Sequence, residues 1–172
     1  MTAEGNGVGH KDGMAVFVSN TAVGDTVLAH AIKVKKNYAI AKAMNIISPS
    51  PDRTESDCPV FNRCGGCVYR HITYGAELKI KQQKVADAFK RIGGLDVKLC
   101  EIVGSERTDY YRNKAQLPAG TENGKAKLGF YSFHSHNIID CAACRLQPEK
   151  FSEIPVIDPA KIDRAIEQAA DR

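Results

Sequence analysis

Short apolar runs separated by turn residues organise the first third of the chain. Met14-Ala15-Val16-Phe17-Val18, Thr26-Val27-Leu28-Ala29-His30-Ala31-Ile32 and Asn37-Tyr38-Ala39-Ile40-Ala41-Lys42-Ala43-Met44 have the length and the β-branched or aromatic content of strands. Val23-Gly24-Asp25 and Lys35-Lys36-Asn37 are turn signals between them. Short strands at this spacing predict a small OB-like barrel over residues 1–50. Ser48-Pro49-Ser50-Pro51 then reads as a linker, because two prolines block both a helix and a central strand.

The second module, residues 51–172, opens with a cysteine-bearing loop and continues with a different periodicity. From Ala76 to about Ile92 the pattern is helical: Leu78, Val85, Phe89 and Ile92 fall on one face, with lysines largely outside it, and Gly93-Gly94 ends it. Leu95 to Ile139 reads mostly as β. Tyr111-Arg112-Asn113-Lys114-Ala115-Gln116-Leu117 alternates, Asn123-Gly124 is a hairpin turn signal, and Lys127 to Phe133 is the returning strand. Asp158-Pro159 caps a short terminal helix. The expected class is mainly β with α (α+β): a small barrel, a loop, one helix and a β-rich central domain.

Composition narrows this only slightly. The formal charge is +4, mildly basic, which permits contact with RNA without requiring it. No segment has the apolar length of a bilayer span, and the first residues lack the pattern of a secretory signal, so a cytoplasmic chain without a membrane partner is expected. On the predicted barrel, Lys33, Lys35, Lys36 and Lys42 with Tyr38 put cations and one ring on adjacent strands. That combination offers charge to phosphate and a flat face to a base; the plain alternative is a solvated hairpin edge.

The densest chemistry is Cys58-Pro59-Val60-Phe61-Asn62-Arg63-Cys64-Gly65-Gly66-Cys67, a C-x5-C-x2-C run, with Cys144 far downstream. Thiols this close form disulfides, a zinc site or an iron–sulfur cluster. An intracellular setting disfavours disulfides. Gly65-Gly66 suits a backbone wrapped around cluster sulfur, whereas His71 offers zinc a fourth ligand, so the spacing alone leaves zinc and cluster open. Cys100 reads as structural, in a strand after Val97-Lys98-Leu99, and Cys141 either as a competitor for iron or, the preferred reading, as a small buried residue.

Cys58-Pro59, Cys64-Gly65-Gly66-Cys67, His71 and Tyr74 together resemble the cluster segment of the RNA 5-methyluridine methyltransferases. Tyr111 to Gln116, Gly129-Phe130-Tyr131, Ser135-His136, Ile138-Ile139-Asp140 and Cys144 continue the resemblance in order, from about Glu4 to Gln147. Arg70 and Cys141 depart from the pattern. The resemblance implies a [4Fe–4S] cluster on Cys58, Cys64, Cys67 and Cys144, with His71 beside it and not on the metal. It implies that the barrel is a TRAM domain, and that the RNA is 23S ribosomal RNA. Arg112 and Lys114 could contact RNA in the family's arrangement, although as residues they are ordinary.

The family's remaining parts are not found in this sequence. No Gly-rich strand-to-helix turn for S-adenosylmethionine and no βαβ series are present, and no cysteine stands in the place of the nucleophile that attacks uracil C6. In the family these lie C-terminal to everything here. The chain is expected to be inactive as a methyltransferase alone, with S-adenosylmethionine bound only by that further domain. A first strand before Glu4 is also expected to be missing, leaving an exposed barrel edge and poor order before about Gly9. The alternatives are a free-standing TRAM-type RNA-binding protein with a zinc site, or one with a redox-sensing cysteine site.

Overall fold

The computed structural model describes residues 1–122, 125–141 and 143–151. The chain forms two compact units that interleave along the sequence and do not meet at residue 50: Met1–Ser56 with Val68–Gly104, and Asp57–Cys67 with the chain from Ser105 on.

The first unit is a four-stranded sheet and one helix. β1 (Gly7–Lys11), β2 (Met14–Ser19), β3 (Thr26–Val34) and β4 (Tyr38–Ser48) lie in the order β1-β2-β4-β3. β2 and β4 run parallel, and the other two pairs are antiparallel. Both predicted turns form: Gly24 takes φ +95°, and the Lys35 N–H donates to the Tyr38 carbonyl at 2.8 Å. One face of the sheet carries small or branched side chains, and Val18, Ala39 and Ala41 are buried there.

Two expectations for this unit are corrected. The segment before Gly9 is folded: β1 begins at Gly7, the Thr2 N–H donates to the Asn6 carbonyl at 2.8 Å, and the Tyr69 hydroxyl donates to the Thr2 carbonyl at 3.3 Å. Met1 packs on the cluster of Ala22, Ile72 and Ala76. The proline-rich linker is a docked corner, because Ser50 is buried and its N–H donates to Asp25 Oδ1 at 2.8 Å.

The helix α1 spans Tyr74–Arg91. Thr73 caps it by accepting from the Ala76 N–H, and Leu95 N–H returns to the Phe89 carbonyl with Gly94 at φ +64°. Only Ala76 is buried along it. Of the apolar face that the periodicity defines, Val85, Phe89 and Ile92 are exposed. Arg53 and Ile72 form an isolated antiparallel bridge, so the chain leaves for the cysteine loop and returns from it through a closed neck.

The second unit holds β5 (Ala119–Glu122), β6 (Lys125–Tyr131) and β7 (Ile138–Asp140) in one antiparallel sheet, followed by a short 3-10 turn at Glu149–Phe151. β5 and β6 pair directly, with Glu122 opposite Lys125; the Asn123-Gly124 turn itself lies outside the described residues. So does the helix expected at Asp158-Pro159. The strands expected over Leu95–Leu117, including Tyr111–Leu117 and the one carrying Cys100, are not formed. Residues 110–112 bond instead to the turn at Arg145 and Leu146, which satisfies their backbone groups without a ladder.

Candidate metal centre and nucleic-acid interface

The cysteine loop is shaped by its apolar pair. Val60 and Phe61 are buried, and around them the Phe61 N–H donates to the Cys58 carbonyl at 3.1 Å. Arg63 and Cys64 N–H groups both donate to the Val60 carbonyl, at 3.0 and 2.8 Å. This winds Cys58 and Cys64 into one turn.

The loop then pairs with the end of β6. Cys64 bridges Ser132, the Gly65 N–H donates to the Tyr131 carbonyl at 3.0 Å, and the Phe133 N–H donates to the Arg63 carbonyl at 3.2 Å. A Cβ on Gly65 would stand 3.2 Å from the Tyr131 oxygen and 3.4 Å from Phe133 Cα, a tight fit that glycine avoids. The Gly66 N–H points at Cys64 Sγ, 3.4 Å away.

Cys144 comes from a second segment, a turn closed by the Gln147 N–H on its carbonyl at 3.0 Å. Leu146 and Gln147 are buried, and the Tyr110 and Arg112 N–H groups donate to the Arg145 and Leu146 carbonyls at 2.7 and 2.9 Å. The Arg145 guanidinium pairs with Asp57 at 2.5 Å and with Asp109 at 2.9 Å. None of Asp57, Asp109 and Arg145 was marked by sequence reasoning, since single charges outside a motif carry no local signature.

These segments bring thiols within electrostatic reach of one another. Burial, foremost, and then the Cys58 and Cys144 thiols push the Cys64 thiol above its ordinary value, against the Gly66 N–H and the Arg112 guanidinium. Cys141 is raised by burial and then by Cys144, Cys58 and Cys64, while its sulfur bonds the Ala143 carbonyl at 3.2 Å. Cys67 is half-buried at the end of the loop, and none of the six cysteines is paired in a disulfide. Among the described residues no three His, Cys, Asp or Glu side chains converge on one metal ion. The donor chemistry nevertheless fits a metal–sulfur group: half-buried thiols that disfavour one another's ionisation are relieved by a cation, and a backbone N–H already faces sulfur.

His71 belongs to the first unit, buried, with Nε2 3.2 Å from the Thr21 carbonyl oxygen. Burial, then Arg53, lowers its pKa, against the Thr21 carbonyl and Asp25.

The sheet of the first unit has a second face. The register sets Val8 and His10 (β1), Phe17 (β2), Tyr38, Ile40 and Lys42 (β4), and His30 and Lys33 (β3) on it together. The Phe17 and Tyr38 rings meet edge-to-face at 5.8 Å, and Tyr38 and Ile40 are exposed. Lys35 and Lys36 sit in the turn beside them. Of the residues expected to touch RNA, Lys33, Lys35, Lys36 and Tyr38 are thus gathered, and Phe17 is the partner that the pattern did not reveal. Arg112 and Lys114 lie in the other unit, exposed, on the irregular segment before β5.

Residues 2–44 match the TRAM domain. The chain is 46% identical over 154 residues to an uncharacterized RNA methyltransferase of Clostridium tetani, covering 90% of this chain and 34% of that protein. An RNA methyltransferase of Listeria monocytogenes is 43% identical over 150 residues, with 87% and 33% covered. Among solved structures, the tRNA (uracil-54, C5)-methyltransferase of Pyrococcus abyssi, in complex with S-adenosyl-L-homocysteine, matches with a TM-score of 0.56 and 26% identity. That match covers 96% of this chain and 37% of the other. The chain is therefore a TRAM-containing relative of the RNA methyltransferases and spans about a third of their length.

Proposed function

We propose that the chain is the RNA-binding, [4Fe–4S]-carrying part of an RNA (uracil-5-)-methyltransferase that makes 5-methyluridine in 23S ribosomal RNA. What supports this reading is the mutual electrostatic influence of the Cys58, Cys64 and Cys144 thiols, which come from two distant segments of one unit, in a chain with a TRAM domain. Cys67 is the fourth ligand. The bound cluster would supply thiolate–iron bonds tying loop to turn, since methyl transfer to uracil involves no electron transfer. Around it the chain's own residues do the positioning: Val60 and Phe61 anchor the loop, and Gly65 admits it against β6.

RNA binding falls to the exposed sheet face. Tyr38 and Phe17 offer ring faces or edges to bases, and Lys33, Lys35, Lys36 and Lys42 offer charge to phosphates. Arg112 and Lys114, exposed in the second unit, are separate candidates for phosphate contact. S-adenosylmethionine is the methyl donor, bound by the part of the whole protein outside this third; the S-adenosyl-L-homocysteine in the Pyrococcus enzyme supports the identity of the donor. Transfer RNA is the second reading for the substrate, favoured by the name of that same enzyme.

The test is metal content and RNA preference of the full chain purified without air. About four iron and four acid-labile sulfide per chain are expected, with tighter binding to 23S fragments than to transfer RNA. One zinc without sulfide would overturn the cluster in favour of a zinc-bearing TRAM protein, and reversible loss of RNA binding on oxidation would favour a redox sensor.

A further inference from the structure

We infer that Arg145 is the positioning residue of the cysteine site: its guanidinium clamps the Cys58 loop to the Cys144 turn and assembles the thiols before any metal is bound. What the clamp serves rests on the proposed cluster; the clamp itself rests on geometry alone.

Cys58 and Cys144 are far apart in sequence, and the thiols supply no attraction that would draw their segments together. Instead, charge does so at the adjoining positions. Asp57 immediately precedes Cys58, Arg145 immediately follows Cys144, and Arg145 Nη1 stands 2.5 Å from Asp57 Oδ2. The other guanidinium nitrogen, Nη2, donates to Asp109 Oδ2 at 2.9 Å, which adds the segment before Tyr110 to the same knot. The guanidinium also lies over the Tyr110 ring, 6.0 Å from its centroid.

An ordinary exposed ion pair stabilises little, because two long side chains must be ordered to make it. This one differs in its preparation. The Arg145 carbonyl accepts the Tyr110 N–H at 2.7 Å, and Leu146 beside it is buried, so the guanidinium projects from a fixed backbone. The planar fork meets two carboxylates at once, one per nitrogen, which a lysine ammonium cannot do with the same geometry. Tyr110 itself takes φ +56°, a conformation that costs a tyrosine free energy and that the bonds to Arg145 help to hold.

The experiment compares wild type, Arg145→Gln, Arg145→Lys and Asp57→Asn in the full chain. In metal-free reduced protein, dibromobimane bridges nearby thiols, and mass spectrometry measures the bridges that join Cys58 or Cys64 to Cys144. In reconstituted protein, the rate of iron loss to a chelator is followed. The Gln and Asn variants are expected to lower the loop-to-turn bridges by about threefold to tenfold and to speed iron loss by a similar factor. Arg145→Lys should fall between. Asp57→Asn leaves the Asp109 and Tyr110 contacts in place, so it decides the matter if Arg145→Gln does not fold. Bridges and iron loss within about twofold of wild type in the folded variants would overturn the clamp while the cluster stands. Reduced bridges in a chain that takes up no iron or sulfide would keep the clamp and overturn the cluster.

Discussion

Asp25, at the turn into β3, and Arg53, beyond the proline-rich corner, meet as a fork. Arg53 Nε donates to Asp25 Oδ1 at 3.2 Å, and its Nη2 pairs with Oδ2. The carboxylate also accepts the Ala22 and Ser50 N–H groups, at 2.7 and 2.8 Å, and its side chain is 1% exposed. Burial alone would raise its pKa, but Arg53 and the two backbone donors outweigh burial and bring it down from 3.8 to about 2. The fork thus fixes the corner that leads out of the sheet.

Because the folded pKa lies below the ordinary one, Asp25 adds stability above pH 3.8, and the contribution is lost as pH falls towards 2. The shift corresponds to about 2 kcal/mol. Asp25→Asn should therefore destabilise the protein by about 2–3 kcal/mol in urea at pH 7, the excess over the shift coming from a half-abandoned Arg53. The gap between variant and wild type should close at low pH. A gap that stays constant down to about pH 2.5 would show that the charge of Asp25 is not what holds the corner.

His71 titrates in the same direction. Buried against the Thr21 carbonyl, it stays neutral below the ordinary value of 6.5, so the unfolded chain binds the proton first and stability falls as pH drops below that value. A folded-state NMR titration should show the His71 ring charging only below pH 6.5. Substitution by glutamine should flatten the stability profile below pH 6.5.

The strands of the first unit were legible because each carries its own signal. Met14–Val18 and Thr26–Ile32 are apolar runs that carry β-branched residues, and Gly24 and Lys35-Lys36-Asn37 end or join them locally. The cysteine loop was legible as chemistry for the same reason. What could not be read depends on partners distant in the chain. Residues 95–118 have strand composition, but Tyr110 and Arg112 spend their backbone donors on the turn at Arg145, and no ladder forms. Val85, Phe89 and Ile92 have a helical apolar face that this chain does not bury. Met1 to Asn6 lack any pattern, yet Tyr69 holds Thr2 from a position far along the sequence.

Gly65 makes a sharp prediction at the candidate centre. Alanine there places a methyl group 3.2 Å from the Tyr131 oxygen, a backbone atom that cannot swing aside. The loop must draw back from β6, which lengthens the Gly65–Tyr131 and Arg63–Phe133 bonds. A cost of about 1–3 kcal/mol is expected, with faster amide exchange at Phe133 and weaker retention of any bound metal. Gly66→Ala meets only the Cys64 sulfur, at 3.4 Å, and should cost less. Equal effects of the two substitutions would mean that the approach to β6 does not shape the loop.

The sheet face separates two contributions to RNA binding. Tyr38 stands exposed beside Phe17, so Tyr38→Ala removes a ring face from the platform while Ala39 and Ala41 keep the opposite side packed. A base stacked there contributes about 1–3 kcal/mol, so affinity for single-stranded RNA should fall by roughly tenfold with the salt dependence unchanged. Replacing Lys33, Lys35 and Lys36 with glutamine should act differently. Each lysine that pairs with a phosphate adds about 0.7 to the steepness of log affinity against log salt for a single strand, so neutralising all three should flatten it by about 2. Fluorescence anisotropy with a short RNA over a salt series reads both quantities at once. A Tyr38 variant that changes the slope, or a lysine variant that leaves it intact, would place RNA elsewhere than on this face.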